Sequence, residues 1–173
     1  MGMLREILGE ERIRQRVAAM AEEIDELYRD ESVIAVCVLK GAFFFFSDLV
    51  RAMKTETVVD FVRLASYGAG QSSSGEVRII KDVEVNVAGR HVLIIEDIVD
   101  SGRSMNVLVR HLAALGAKSV RIAVLIDKKE RREFVVHTDF VGFDLPAGFI
   151  VGYGLDCAER YRNLPAIYEL LDC

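Results

Sequence analysis

The stretch His91–Ser104, HVLIIEDIVDSGRS, changes character twice within fourteen residues. Its first half, HVLII, is apolar without polar alternation, as in strands covered on both faces of a parallel sheet. Three carboxylates follow, Glu96, Asp97 and Asp100. Then Ser101-Gly102-Arg103-Ser104 opens a segment with Met105, Leu108, Val109, Leu112 and Leu115 at helical spacing, and Gly116 stops it. The spacing predicts a strand, an acidic turn and a helix over about 103–115.

The same pattern recurs on either side. VIAVCVL (33–39) and VRIAVLI (120–126) are two more apolar runs of strand length. Residues 11–29 place Ile13, Val17, Met20, Ile24 and Leu27 on one face of an amphipathic helix. Lys40-Gly41 ends the first apolar run, and residues 42–54 read as a helix packed through its phenylalanines. TVVDFVRL (57–64) and EVRIIK (76–81) read as strands of a long hairpin. Between them SYGAGQSSSG (66–75), with three Gly and four Ser, is expected to be a mobile loop. Short segments at 138–143 and 149–153 are expected to extend the sheet, and the tail from 164 reads as weakly helical. Strands alternating with helices predict an α/β fold: a mostly parallel central sheet with helices on both faces. No internal repeat or linker divides the 173 residues, so one domain, 1–173, is expected.

Ligands of open parallel sheets bind beyond the carboxyl ends of the strands. Here that position carries three acids and a helix start. Amides at a helix N-terminus lack internal partners and favour an anion such as phosphate. Gly102 permits a tight turn, and Ser101 and Ser104 add hydroxyl donors. Carboxylates repel phosphate but suit the hydroxyls of a ribose and a magnesium ion. The juxtaposition suits a ribose 5-phosphate. An acidic strand end followed by an ordinary helix cap is the plainer alternative.

The composition removes other classes. Hydrophobic residues make up 51% and charged residues 28%, with a net charge of -5. No basic field for nucleic acid is present, and Arg131-Arg132 is too small a patch to supply one. Cys37, Cys157 and Cys173 form no CxxC pair, and Cys37 sits in an apolar run, as suits a reducing, cytoplasmic setting. No apolar stretch has membrane-span length, and MGMLREILGEERIRQR lacks the features of a signal peptide. His91, His111 and His137 have no metal-ligand spacing. Neither Gly68-Ala69-Gly70 nor Gly152-Tyr153-Gly154 completes a dinucleotide fingerprint, and no P-loop is present.

VLIIEDIVDSGRS resembles, at every position, the phosphoribosyl pyrophosphate motif of type I phosphoribosyltransferases: four apolar residues, two acids, two apolar residues, an acid, Ser/Thr-Gly, any residue and Ser/Thr. LKGAFFFFSDL, DFVRLASYG, LIDKKERR and DFVGFDLPAGFIVGYGLDCAERYRNLP are similar, in order, to segments of the hypoxanthine-guanine phosphoribosyltransferases, so the resemblance covers roughly residues 33–165. It implies an enzyme that joins a 6-oxopurine to phosphoribosyl pyrophosphate with Mg2+. It implies a lid hairpin over about 64–80, and a small purine-binding hood built from the N-terminal segment and about 145–173. It also implies a homodimer or homotetramer. It does not rank hypoxanthine, guanine and xanthine.

The resemblance also implies roles. Asp100 matches the general base near N7 of the purine. Glu96 and Asp97 match the acids at the ribose hydroxyls and, with Asp156, the magnesium ligands. Ser101, Gly102, Arg103 and Ser104 match the 5-phosphate loop, with Arg103 in the variable place. Lys128 matches the donor to the purine O6; taken alone, a lysine in DKKERR reads as a solvated charge, and Lys129 is one register away. Ile98 matches the floor under the base, Phe149 the stacking aromatic, and Ile150 a residue that meets the base edge through its backbone. Lys40 and Gly41 match a pyrophosphate turn whose Lys-Gly bond can be cis. Ser66 and Tyr67 match the start of the lid. Arg162 matches an arginine that reaches pyrophosphate, and Arg132 a second one on that side.

Overall fold

The computed structural model describes residues 3–67, 76–146 and 148–171. In chain order it contains β1 (Leu4–Leu8), α1 (Glu10–Leu27), β2 (Val33–Leu39), α2 (Phe43–Ala52), β3 (Thr57–Tyr67), β4 (Glu76–Lys81), β5 (His91–Val99), α3 (Arg103–Ala114), β6 (Ser119–Asp127), β7 (Phe140–Asp144), β8 (Ile150–Val151) and β9 (Ile167–Leu170). Six strands form one sheet in the order β4-β3-β2-β5-β6-β7. Every neighbouring pair is parallel except β3 and β4, which run antiparallel at one edge.

The absence of polar alternation in the central strands has the expected cause. Side chains of a strand alternate between faces, and here both faces are covered. Val33, Ala35 and Cys37 of β2, with Leu93 and Ile95 of β5, face a core shared with Ile13, Val17 and Ile24 of α1 and Phe45 and Leu49 of α2. Ile34, Val36 and Val38, with Val92 and Ile94, face the opposite core under Met105, Leu108 and Leu112 of α3. Cys37 is fully enclosed, and burial, reinforced by the Glu96 and Asp97 carboxylates, pushes its thiol up to about 12.

A second, antiparallel sheet, β1-β9-β8, joins the two ends of the described chain. Leu4 lies opposite Leu170, and Ile150 opposite Glu169. The expected helical tail is therefore a strand. AIYELL has modest helical preference, but pairing with β1 and β8 satisfies its backbone and buries Ile167 and Leu170, so tertiary context overrides local propensity. Of 149–153 only Ile150–Val151 is extended, and it belongs to this second sheet, whereas β7 does extend the main one. Half of the expected phenylalanine packing is realised: Phe45 and Phe46 are buried, while Phe43 and Phe44 are 50% and 39% exposed, because a helix turns only one side inward. The loop tip 68–75 lies outside the described residues. Among the described residues no helix is long and apolar enough to cross a membrane.

Candidate active site

The acids stand where the sheet stops. Strict alternation along β5 would put Ile95 and Ile98 on opposite faces, yet both pack toward the core under α1 and α2. The break falls at Glu96 and Asp97. Both are nearly buried, and each folds back on the strand. The Asp97 amide donates to Glu96 Oε1 (3.1 Å), and the Ile98 amide to Asp97 Oδ1 (2.8 Å). Burial raises both carboxyls above their usual range; for Glu96 the neighbouring Asp97 adds to the rise, while for Asp97 hydrogen bonds oppose it. Two adjacent buried acids resist being ionised together, so the pair favours a hydroxyl donor or a cation beside it. Gly41 lies directly on this pair, and a Cβ there would overlap Asp97 Oδ2.

The following turn is held open by Gly102. Its φ of +79° is left-handed, and a Cβ would meet Phe134 O at 2.7 Å, so glycine is required by conformation and by space. Gly102 caps α3 and has no side chain to bind its first-turn amides. The Ser101 hydroxyl accepts from the Arg103 amide at 3.3 Å. The Arg103 side chain pairs with Glu133 and lies 5.4 Å from the Phe134 ring.

Two cavities meet at this strand end. One, of about 280 Å³, is lined by Val38, Leu39, Gly41 and Leu64 and by residues of the 96–105 segment, including Ser101, Gly102 and Ser104. The other, of about 440 Å³, is lined by Lys128, Phe149, Ile150, Leu155, Asp156 and neighbours. Asp97, Ile98 and Asp100 line both. Asp100 Oδ1 is buried without a hydrogen-bond partner, an arrangement that costs folding energy and leaves an acceptor for a ligand.

Lys128 is 7% exposed, and its ammonium donates to Gly148 O at 3.0 Å. Lys129 is outside, paired with Asp144. This separates the two registers that the DKKERR run leaves open: the lysine of the cavity is Lys128. Phe149 is 48% exposed at the cavity rim, so it is not a core phenylalanine, whereas Ile150 is buried.

Lys40 and Arg162 converge from different parts of the chain. The segment 152–162 rests on the turn after β2, where a Cβ at Gly154 would overlap Gly41 O. Tyr153 donates its hydroxyl proton to Asp48 of α2 at 2.7 Å. Lys40 pairs with Glu159 at 3.0 Å. Arg162 donates to Gly154 O and pairs with Asp156, both at 2.8 Å, and reaches Glu159 at 3.3 Å.

Two expectations change. The cis peptide bond is Leu39–Lys40, not Lys40–Gly41: the reversal falls on the last residue of β2, where the strand leaves the sheet. Arg132, matched by resemblance to a pyrophosphate-side arginine, lines neither cavity. Its guanidinium is turned inward, onto Asp127 and the carbonyls of Val99, Asp100 and Lys128. Ser66 and Tyr67 end β3 opposite Val77 and Glu76, with their side chains outside the description. Sequence reasoning missed Glu159, Asp127 and Tyr153. An acid in a loop, an acid at the end of β6 before a charged run and a tyrosine between glycines carry no local signal, and each acquires its partner only through the fold.

Comparison with known proteins agrees with the geometry. A family model described as a phosphoribosyl transferase domain matches residues 3–158. A hypoxanthine-guanine phosphoribosyltransferase of Bacillus subtilis is 47% identical over 93% of this chain and 89% of its own length. The hypoxanthine phosphoribosyltransferase of Escherichia coli K12 is 40% identical over 95% and 94%. The crystal structure of a hypoxanthine-guanine phosphoribosyltransferase from Bacillus anthracis superposes with a TM-score of 0.92 at 37% identity, covering 99% of this chain and all of that one. A strand end built from buried acids, a glycine turn opening α3 and likeness along nearly the whole chain place this protein in the phosphoribosyltransferase family, among its hypoxanthine-guanine members.

Proposed function

We propose that this protein transfers the 5-phosphoribosyl group from phosphoribosyl pyrophosphate to hypoxanthine or guanine, giving IMP or GMP and pyrophosphate in purine salvage. The observation that carries the reading is the wall common to the two cavities. Asp97, Ile98 and Asp100 line both, with the Ser101–Ser104 turn on one side and Lys128 and Phe149 on the other. A ribose 5-phosphate suits the first cavity and a planar base the second, which brings C1 of the sugar and N9 of the base together at Asp100.

In this reading the Ser101, Gly102, Arg103 and Ser104 amides and the serine hydroxyls take the 5-phosphate. Glu96 and Asp97 accept from the ribose hydroxyls. Lys40, Gly41 and Arg162 face the pyrophosphate, with Arg162 exchanging its acidic partners for phosphate oxygens. Phe149 stacks on the purine over Ile98, and Ile150 meets the base edge through its backbone. The Lys128 ammonium turns from Gly148 O to O6. It has only donors, so a 6-amino group would meet a donor with a donor, and 6-oxopurines are preferred. Asp100 accepts the N7 proton as N9 attacks, and the work is positioning and electrostatics without a covalent intermediate.

The residues present fit magnesium. Glu96 and Asp97, whose carboxyls are raised by burial, gain from a hard divalent cation, and Asp156 stands on the pyrophosphate side. Magnesium needs only one or two protein carboxylates beside water and phosphate, so no cluster of three ligating side chains is required. Bound with the pyrophosphate, it offsets the charge of the leaving group. The hairpin over about 64–80, beginning at Ser66 and Tyr67, serves as a lid that excludes water, and β1, β8 and β9 belong to the hood. The exposed Phe43 and Phe44 suit the contact of a homodimer or homotetramer in the cytoplasm. The test is pyrophosphate release by purified protein with magnesium, phosphoribosyl pyrophosphate and each of hypoxanthine, guanine and xanthine. Turnover with hypoxanthine or guanine is expected, and inactivity with all three ends the reading.

A further inference from the structure

We propose that Arg132 is a positioning residue whose single guanidinium fixes the spacing between Asp100 and Lys128, and thereby couples proton acceptance to the choice of base. The inference rests on the roles given to Asp100 and Lys128 above.

Val99 of β5 and Asp127 of β6 are the last paired residues of their ladder. Beyond them the chains part, one into the Asp100–Ser104 turn and the other into Lys128 and Lys129. The carbonyls of Asp100 and Lys128 have no further strand to accept from, and Val99 O keeps one bond from the parting chain. Arg132 takes the place of the missing strand. Its Nε donates to Asp100 O at 2.9 Å, and its Nη2 to Lys128 O at 3.1 Å and Val99 O at 3.2 Å. The same Nη2 pairs with the Asp127 carboxylate, which is 4% exposed. Val99 O also accepts from the Lys128 amide at 3.0 Å. A planar guanidinium offers several donors in fixed directions, which a lysine ammonium does not. Asp127 balances its charge in a place with little water, so the group is held by more than one bond.

The loop carrying Arg132 also backs the phosphate turn. The amides of Glu133 and Phe134 both donate to Ser101 O at 3.0 Å. Arg132 itself is not among the residues lining either cavity, so it acts through Asp100 and Lys128 and not on a ligand. Those two side chains are assigned to N7 and O6, whose separation is set by a rigid bicyclic base. Their spacing is therefore the quantity that must be right for base binding and proton transfer together. A displacement of about 1 Å at a reacting centre is enough to cost on the order of 100-fold in rate.

The test is Arg132→Met, which keeps much of the side-chain volume and removes every donor. With hypoxanthine, kcat should fall about 100-fold while the KM for magnesium phosphoribosyl pyrophosphate moves less than about threefold. The preference for hypoxanthine over adenine in kcat/KM should shrink at least about tenfold, because Lys128 loses its fixed place. Free guanidinium at about 10 mM should restore kcat about tenfold along a saturating curve, and Arg132→Lys should not respond to it. If Arg132→Met fails to fold, Asp127→Asn carries the test by kcat and base preference alone, each expected to fall about tenfold with the KM for phosphoribosyl pyrophosphate little changed, and a kcat loss without a change of base preference overturns the proposal there too. A loss confined to the KM for phosphoribosyl pyrophosphate would mean a direct pyrophosphate contact and would overturn the proposal. So would a fall in kcat with base preference unchanged and no response to guanidinium. A wild-type protein that turns over no purine takes down the functional reading itself, and the strut with it. Wild-type turnover with an unaffected variant takes down the strut alone.

Discussion

Asp100 stands at the junction of the two cavities with Oδ1 buried and unpartnered, while Asp97 is committed to the Ile98 amide and lies under Gly41. Neighbours in sequence, the two acids should fail differently when removed. Asp100→Ala takes away the proposed proton acceptor, and loss of a general base costs on the order of 100- to 10,000-fold in kcat. It leaves the acids and amides around the sugar in place, so equilibrium binding of magnesium phosphoribosyl pyrophosphate should change little. Asp97→Ala removes an acid assigned to the ribose and should weaken that binding more. Steady-state kinetics with a direct binding measurement separates the two, and equal, small effects from both variants would mean that the roles are wrongly divided. At this scale the sequence was informative where chemistry is local. Three acids and a Ser-Gly turn within nine residues can be read without a fold. Glu159 and Asp127 could not be found that way, because their meaning lies in Lys40, Arg162 and Arg132, which reach them only after the chain has folded.

Among the elements, β3 and β4 carry the hairpin assigned to the lid, and its base is held by one carboxylate. Asp60 of β3 is 5% exposed. It accepts from the amide of Phe61 at 2.7 Å, of Glu84 at 2.7 Å and of Val85 at 2.9 Å, with the Lys81 ammonium at 3.7 Å. Burial alone would raise its carboxyl, but these amides and Lys81 outweigh burial and hold it below the usual range. A carboxyl lowered on folding stabilises the native state above its unfolded value of about 3.9, and that contribution is lost as pH falls through the folded value. Asp60→Asn should therefore cost roughly 2 kcal/mol at neutral pH, since charged acceptors of this kind contribute about that much. It should also flatten the acid limb of stability below about pH 4. Urea unfolding at several pH values checks both, and an acid limb as steep as that of the wild type would show that Asp60 is not the group being titrated. The strands themselves were legible because apolar runs buried on two faces have no polar alternation to confuse. β9 was not, because its partners, β1 and β8, lie far from it in the chain or span only two residues.

At the scale of the whole molecule, two sheets have to be kept in register across the site. The main sheet brings the acids, the phosphate turn and Lys128. The smaller sheet and its following loops bring Phe149, Asp156 and Arg162. Their docking uses the Gly152-Tyr153-Gly154 turn, whose φ values of +99°, +49° and +101° bring the chain against Gly41. Tyr153 then crosses to Asp48 of α2. Its ring is largely buried, and burial, with the Asp48 carboxylate beside it, raises the phenol well above its ordinary value, so it is a donor at every working pH. Tyr153→Phe keeps the ring and deletes the bond. Leaving Asp48 one donor short at a part-exposed position should cost about 1 kcal/mol. For a domain of this size that lowers the melting temperature by roughly 2–4 °C. The catalytic consequence should be selective. Asp100, Lys128 and the phosphate turn stay on the main sheet, whereas Arg162 and Asp156 follow Tyr153 in the loop after β8, and Phe149 is held from the other side by its carbonyl bond to the Leu170 amide. The KM for magnesium phosphoribosyl pyrophosphate should therefore rise a few-fold while kcat at saturation stays within about twofold, the pattern of lost ground-state binding. Melting curves and steady-state kinetics on the same preparation check it. A fall in kcat with an unchanged KM would show that the two sheets are held together elsewhere, and that the hydroxyl of Tyr153 serves the chemistry instead of the docking.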